Sequence, residues 1–282
     1  MPGTREVSIW VLALLYLVNL AGNSIATLVF ASGMLAPIVR TTGGLINETL
    51  VFNLGLLAVG VGVVLMGMGR LAPAEFGLSP RTLPLALSAT AAIWLVAQAI
   101  LAISSLAIGG TLAPNPLWAR AGISAILGFL IGQLFGNALF EEIAYRGVLL
   151  PQLRLKLGRS LSLSPRGALL AALVASQLLF ALVHIPNRLA RGADAITLPM
   201  ALLVPFVLGL LFAVLYLRTG NLWIAVGIHA LLNAPTALFA APIEAWLVIA
   251  GISTLLVAVW PRAASDDLLA LSGVSREAGS AP

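Results

Sequence analysis

Six residues on three apolar stretches have the types and spacing to hydrolyse a bond. Glu141, Glu142 and Arg146 lie on one, His184 on a second, His229 and Asn233 on a third. His184 and His229 are the chain's only histidines. An ionisable group in hydrocarbon is costly unless it is paired or set in a polar cavity, so groups kept there are candidates for function.

Helical spacing sorts the six. Glu142 and Arg146 are four apart, acid first, which is the favourable order for an ion pair. Glu141 projects about 100° round the helix, which leaves it without a partner in its own segment and available as a general base. Gln133, Asn137, Glu141 and Tyr145 recur every four residues as a polar stripe that should avoid lipid. Beside it run Gly128, Gly132 and Gly136, a small-residue row that lets another helix approach closely. His184 follows Phe180 by four and precedes Ile185-Pro186-Asn187, where proline should end or bend the helix. Asn221, Ala225, His229 and Asn233 again recur by fours, so His229 and Asn233 point the same way. The set could activate water through a metal held by imidazole and carboxylate oxygen. Equally, a glutamate base could act directly, with His and Asn holding the oxyanion.

The elements that must position these groups are membrane helices. The chain has 282 residues, 60% of them hydrophobic and 9% charged, and a mean hydropathy of +1.07, which describes an all-α polytopic integral membrane protein. A crossing needs about 20 apolar residues, and about eight transmembrane helices can be laid out: 9–31, 45–68, 83–108, 118–150, 168–185, 199–217, 222–239 and 245–260. The fourth is too long for one straight crossing and should protrude, bend or tilt. The first is longer than a signal-peptide core and contains Asn19 and Asn23, so it is read as retained. A single domain is expected over 1–264, with 265–282 a short polar tail.

The chain has no cysteine, which excludes disulfides, thiolate catalysis and cysteine metal ligands. The basic pI near 10.7 reflects short loops rather than nucleic-acid binding. With both termini cytoplasmic, that side holds Arg5, Arg70, Arg81, Arg154, Lys156, Arg159, Arg166, Arg218, Arg262 and Arg276, ten against four (Arg40, Arg120, Arg188 and Arg191). The positive-inside rule therefore favours an even number of spans with N and C termini in the cytoplasm. Measured from that side at about 1.5 Å per residue, Glu141, His229 and Asn233 fall at about 20, 12 and 18 Å and could share a chamber. His184 lies deeper, at about 27 Å.

Glu141-Glu142-x-x-x-Arg146, Phe180-x-x-x-His184 and His229-x-x-x-Asn233, in this order on separate apolar segments, resemble the CAAX protease and bacteriocin-processing (CPBP, or Abi) family, which includes the type II CAAX prenyl endopeptidases. The resemblance covers a motif core of about 118–239, and Glu75-Phe76-Gly77-Leu78 resembles a further loop of the family. It implies an intramembrane endopeptidase, named a metalloprotease in the family, acting on a peptide or protein substrate at the lipid bilayer from a site open to the cytoplasm. By resemblance Glu141 activates the water, and Glu142 with Arg146 supports the site. Glu141, His184, His229 and Asn233 would hold a divalent metal such as zinc if one is used, or His and Asn would hold the oxyanion. The substrate is a prenylated CAAX peptide, a bacteriocin leader or another membrane-proximal peptide, and the Ala-, Leu- and Arg-rich composition points to a prokaryotic plasma membrane. Three other classes compete. A rhomboid-type serine protease would pair Ser124 with His229. An ion-coupled transporter would use the charges as a relay. A non-catalytic membrane scaffold or immunity protein would retain the fold alone. His-Glu-x-x-His is absent.

Overall fold

The protein, seen in a computed structural model that describes residues 5–260, is all helical apart from one isolated bridge, Pro114 to Phe239. Six helices are long and apolar enough to cross a membrane: α1 (Ile9–Ser32), α3 (Glu48–Met68), α4 (Leu83–Gly109), α6 (Ile123–Ser160), α7 and α9 (Leu198–Thr219). α7 (Pro165–Leu182) continues through a turn at His184 into the short α8 (Ile185–Ala190). The shorter apolar helices are α10 (Leu222–Asn233) and α11 (Ala245–Val259), and the connectors α2 (Ala36–Thr41) and α5 (Pro116–Ala121) complete the set. The surface is apolar where lipid would lie, with Leu28 at 71%, Ile103 at 65% and Leu255 at 66% exposure. The expected 265–282 tail and Arg262 lie outside the described residues.

Local chemistry sets the helix ends. Ser8, Asn47, Asn115, Ser164 and Asn221 cap N-termini by accepting from backbone N–H groups two or three residues on, satisfying donors that the first turn leaves unpaired. Gly33, Gly110 and Gly220 close α1, α4 and α9 in the left-handed conformation, which glycine adopts at least cost.

One expected span is shorter than its apolar run. The apolar run 222–239 predicts one crossing, but α10 stops at Asn233, since Pro235 disfavours helix at Ala234. Backbone beyond it is satisfied inside the protein, as non-helical chain at membrane depth requires: Leu238 O accepts from Asn115 N (2.8 Å), Leu238 N donates to Gln98 Oε1 (2.8 Å), and Trp118 Nε1 donates to Ala237 O (2.8 Å). α10 is about 18 Å long, shorter than the roughly 30 Å hydrocarbon core of a bilayer.

α6 is longer than expected, 38 residues or about 57 Å, and protrudes as a charged C-terminal end. Lys156 and Arg159 there pair with Glu6 at 3.0 and 2.9 Å, and first Lys156, then Arg159, hold the Glu6 carboxyl below its ordinary value. Gln152 clasps the same N-terminal strand of chain, accepting from Val7 N and donating to Arg5 O. The glycine row does what its spacing predicts. A Cβ on Gly132 would sit 2.7 Å from Asn47 Oδ1, and one on Gly136 would sit 3.1 Å from Asn53 Cβ, so α3 packs directly on α6.

Candidate active site

α6 carries the acids between two π-helical stretches, Gln133–Asn137 and Ile143–Leu149, a departure from α geometry that occurs often at functional sites. The Glu142–Arg146 ion pair forms as expected, 3.0 Å long and with both side chains fully buried. Arg146 Nη2 also donates to Gln177 Oε1 (2.9 Å) and to Gly209 O (3.0 Å), and the guanidinium lies 4.4 Å from the Phe180 ring centroid. The carbonyl of Gly209 reaches it because that residue has no side chain; a Cβ would stand 3.1 Å from Nη2.

His229 joins the two glutamates. Its Nδ1 is 2.8 Å from Glu142 Oε1, which also accepts from Arg146, and its Nε2 is 3.5 Å from Glu141 Oε2. A carboxylate can only accept, so Nδ1 carries a hydrogen toward Glu142, and Nε2 is the ring nitrogen next to Glu141. Phe212 stacks on the imidazole at 4.4 Å and 15°, fixing the ring plane. Glu141 is thus not isolated, as its helix alone suggested; its neighbour comes from α10. Oε2 of Glu141 is buried and has no hydrogen-bond partner among the described residues.

In front of this layer is a polar cavity of about 400 Å³ lined by Glu141, His184 and Asn233, with Gln133, Asn137 and Asn187 among others. The turn after α7 brings His184 there. Its Nδ1 lies 2.7 Å from the Phe180 carbonyl, an obligate acceptor, so Nε2 is the free nitrogen. Asn233 donates to Gln133 Oε1 at 2.9 Å, which occupies one of its two amide hydrogens. The six expected residues therefore form two groups: Glu141, His184 and Asn233 face the cavity, and His229 stands behind Glu141 with Glu142 and Arg146. Of the stripe, Gln133 and Asn137 line the cavity, whereas Tyr145 is buried and accepts from Asn19 Nδ2 (2.9 Å). Ser124 packs near Gly43 and does not line the cavity.

The supposed metal ligands do not close into one set. Among the described residues, no three His, Asp or Glu side chains are grouped to hold an ion. His229 is absent from the cavity lining that Glu141, His184 and Asn233 share.

Sequence reasoning missed Gln177, Gly209 and Phe212. Gln177 and Gly209 each offer only an ordinary residue in an apolar helix, and only the pairing of α7, α9 and α10 reveals their targets. Glu75-Phe76-Gly77-Leu78 lies on the opposite side of the site. Glu75 accepts from Ala72 N (2.7 Å), buried Phe76 has its carbonyl 2.5 Å from where a Cβ on Gly147 would be, and Gly77 turns against Tyr216.

The cavity also has a side. α1, α4 and α7 run away from the face that carries the N-terminal segment, while α3, α6 and α9 return to it. The lining residues Asn23 and Phe30, Thr49 and Phe52, Phe129 and Gln133, Asn187 and Arg191 all belong to the half remote from that face. The cavity and the N-terminal segment therefore lie toward opposite ends of the helices. His184, too deep when measured from the near face, is in place once the chamber lies in the remote half.

Residues 123–235 match the model of a family described as Rce1-like, type II CAAX prenyl endopeptidase Rce1-like. The matched stretch contains all six residues and every helix segment that carries them. No curated protein and no solved structure matches the chain.

Proposed function

We propose that this membrane protein is an intramembrane endopeptidase of the type II CAAX kind, hydrolysing a peptide bond through water activated by Glu141. The observation that carries the reading is Glu141 itself, a carboxylate that lines a polar cavity, with a buried oxygen that makes no hydrogen bond and lies 3.5 Å from His229 Nε2. In the reaction, water adds to the scissile carbonyl carbon and Glu141 takes its proton. Asn233, with one amide hydrogen uncommitted, is the donor for the oxyanion that the carbonyl oxygen becomes, and His184 lines the same cavity. His229 Nε2 shares the proton on Glu141 until the C–N bond breaks and the leaving nitrogen receives it. Glu142, held by Arg146, keeps His229 in the tautomer that permits this, the role a buried carboxylate has in other histidine-dependent sites.

The test is cleavage of a panel of membrane-associated peptides, a farnesylated CAAX reporter included, by protein reconstituted in liposomes. Cleavage of at least one peptide is expected; folded protein that cleaves none overturns the reading.

The positive-inside rule favours cytoplasmic termini for this distribution of arginines, and on that reading the cavity faces the exoplasmic side. With no native cysteine, single cysteines report this directly. Ala195→Cys should react with an impermeant maleimide in intact cells and Ser160→Cys only after permeabilisation. The reverse pattern would return the site to the cytoplasm.

A further inference from the structure

We propose that Arg188 and Arg191 form a carboxylate-binding subsite at the mouth of the cavity, which recognises an anionic group on the peptide; this rests on the protease reading above. Both line the same cavity as Glu141 and His184. Arg188 N donates to His184 O at 3.0 Å, so the guanidinium arises one helical turn, about 6 Å along the axis, from a residue on the cavity wall. Arg191 follows at the end of α8 and is exposed.

Neither guanidinium has a counter-ion among the described residues. The nearest acid in sequence, Asp194, spends Oδ1 on Ile196 N, Thr197 N and Thr197 Oγ1. Arg188 Nε is buried and makes no hydrogen bond. Two like charges three residues apart repel, and a buried donor without an acceptor is costly. An anion bound between them would remove both penalties, and the planar fork of guanidinium matches a carboxylate in bidentate fashion. Among the other polar residues of the lining most are amides: Asn23, Asn53, Gln133, Asn137, Asn187 and Asn233. Amides both donate and accept, which suits an extended peptide backbone. Charge is then confined to two places, the base Glu141 and the arginine pair.

The carboxylate could be a free C-terminus or an Asp or Glu side chain, and paired peptides separate these. The measurement is KM and kcat for Arg188→Gln and Arg191→Gln with four peptides of one sequence: free acid or amide at the C-terminus, each with Asp or Asn at one internal position. Loss of one charge-assisted contact should raise KM about tenfold for peptides carrying the recognised carboxylate, with kcat within about twofold. The peptide whose neutralisation abolishes the difference identifies the source. Equal KM changes for neutral and anionic peptides, or none, would overturn the proposal and leave the arginines as interface anchors only. Binding of the same labelled peptides to Glu141→Gln protein needs no turnover, so it reads the subsite separately from the chemistry.

Discussion

Arg146→Ala should destabilise the protein far more than its distance from the cavity suggests. The side chain is fully buried and donates three hydrogen bonds, to Glu142 Oε1, Gln177 Oε1 and Gly209 O. Truncation leaves Glu142, itself fully buried, with His229 as its one remaining partner, and takes from Gln177 Oε1 the hydrogen bond that Arg146 gives it. Removing one member of a buried pair costs about 3–5 kcal/mol, and each unsatisfied acceptor about 1–3 kcal/mol, terms that overlap rather than add. A loss of at least about 3 kcal/mol is therefore expected. The double variant Glu142→Gln/Arg146→Met removes both charges and should recover much of that loss. The assay is the midpoint of denaturant-induced unfolding in mixed micelles, compared across wild type, single and double variants. A single variant within about 0.5 kcal/mol of wild type, the range of neutral surface changes, would refute the assignment of Arg146 as the charge that holds Glu142.

Three further outcomes follow from the same geometry. Asn233→Ala should lower kcat by about 10²–10³, the cost of losing an oxyanion donor, with little change in unfolding midpoint. Gly132→Ala should destabilise by about 1–3 kcal/mol, because its methyl group would displace Asn47 Oδ1 from Leu50 N; unchanged stability would disprove the tight contact of α3 on α6. Glu6 has a lowered pKa when folded, so its pairing with Lys156 and Arg159 is present above the ordinary carboxylate value of 4.5 and is lost as pH falls through the folded value. Hydrogen exchange at residues 5–8 should rise on acidification, and Glu6→Gln should produce that rise at neutral pH.

Much of this was legible in the chain because lipid leaves few ways to place a polar group. The Glu142–Arg146 pair follows from a spacing of four in an apolar run, and the docking of α3 follows from Gly132 and Gly136. The break at His184 was signalled by Pro186. The early end of α10 was not read, although Pro235 marks it, because the apolar run continues to Phe239 and hydropathy does not register a missing N–H. The link from His229 to both glutamates was invisible, since it depends on how far α10 rotates against α6, a matter of packing rather than period. The same holds for the remote position of the cavity. Depths counted from one face along straight helices cannot reveal that α1, α3, α6 and α8 open toward the other.

The most direct test of Glu141 as the base is the cleavage rate of Glu141→Gln protein, measured beside its unfolding midpoint. Glutamine keeps the shape of the side chain but cannot take a proton from water. Cleavage should fall by about 10³ or more while the midpoint stays near that of wild type. Cleavage at the wild-type rate by this variant would contradict the mechanism outright.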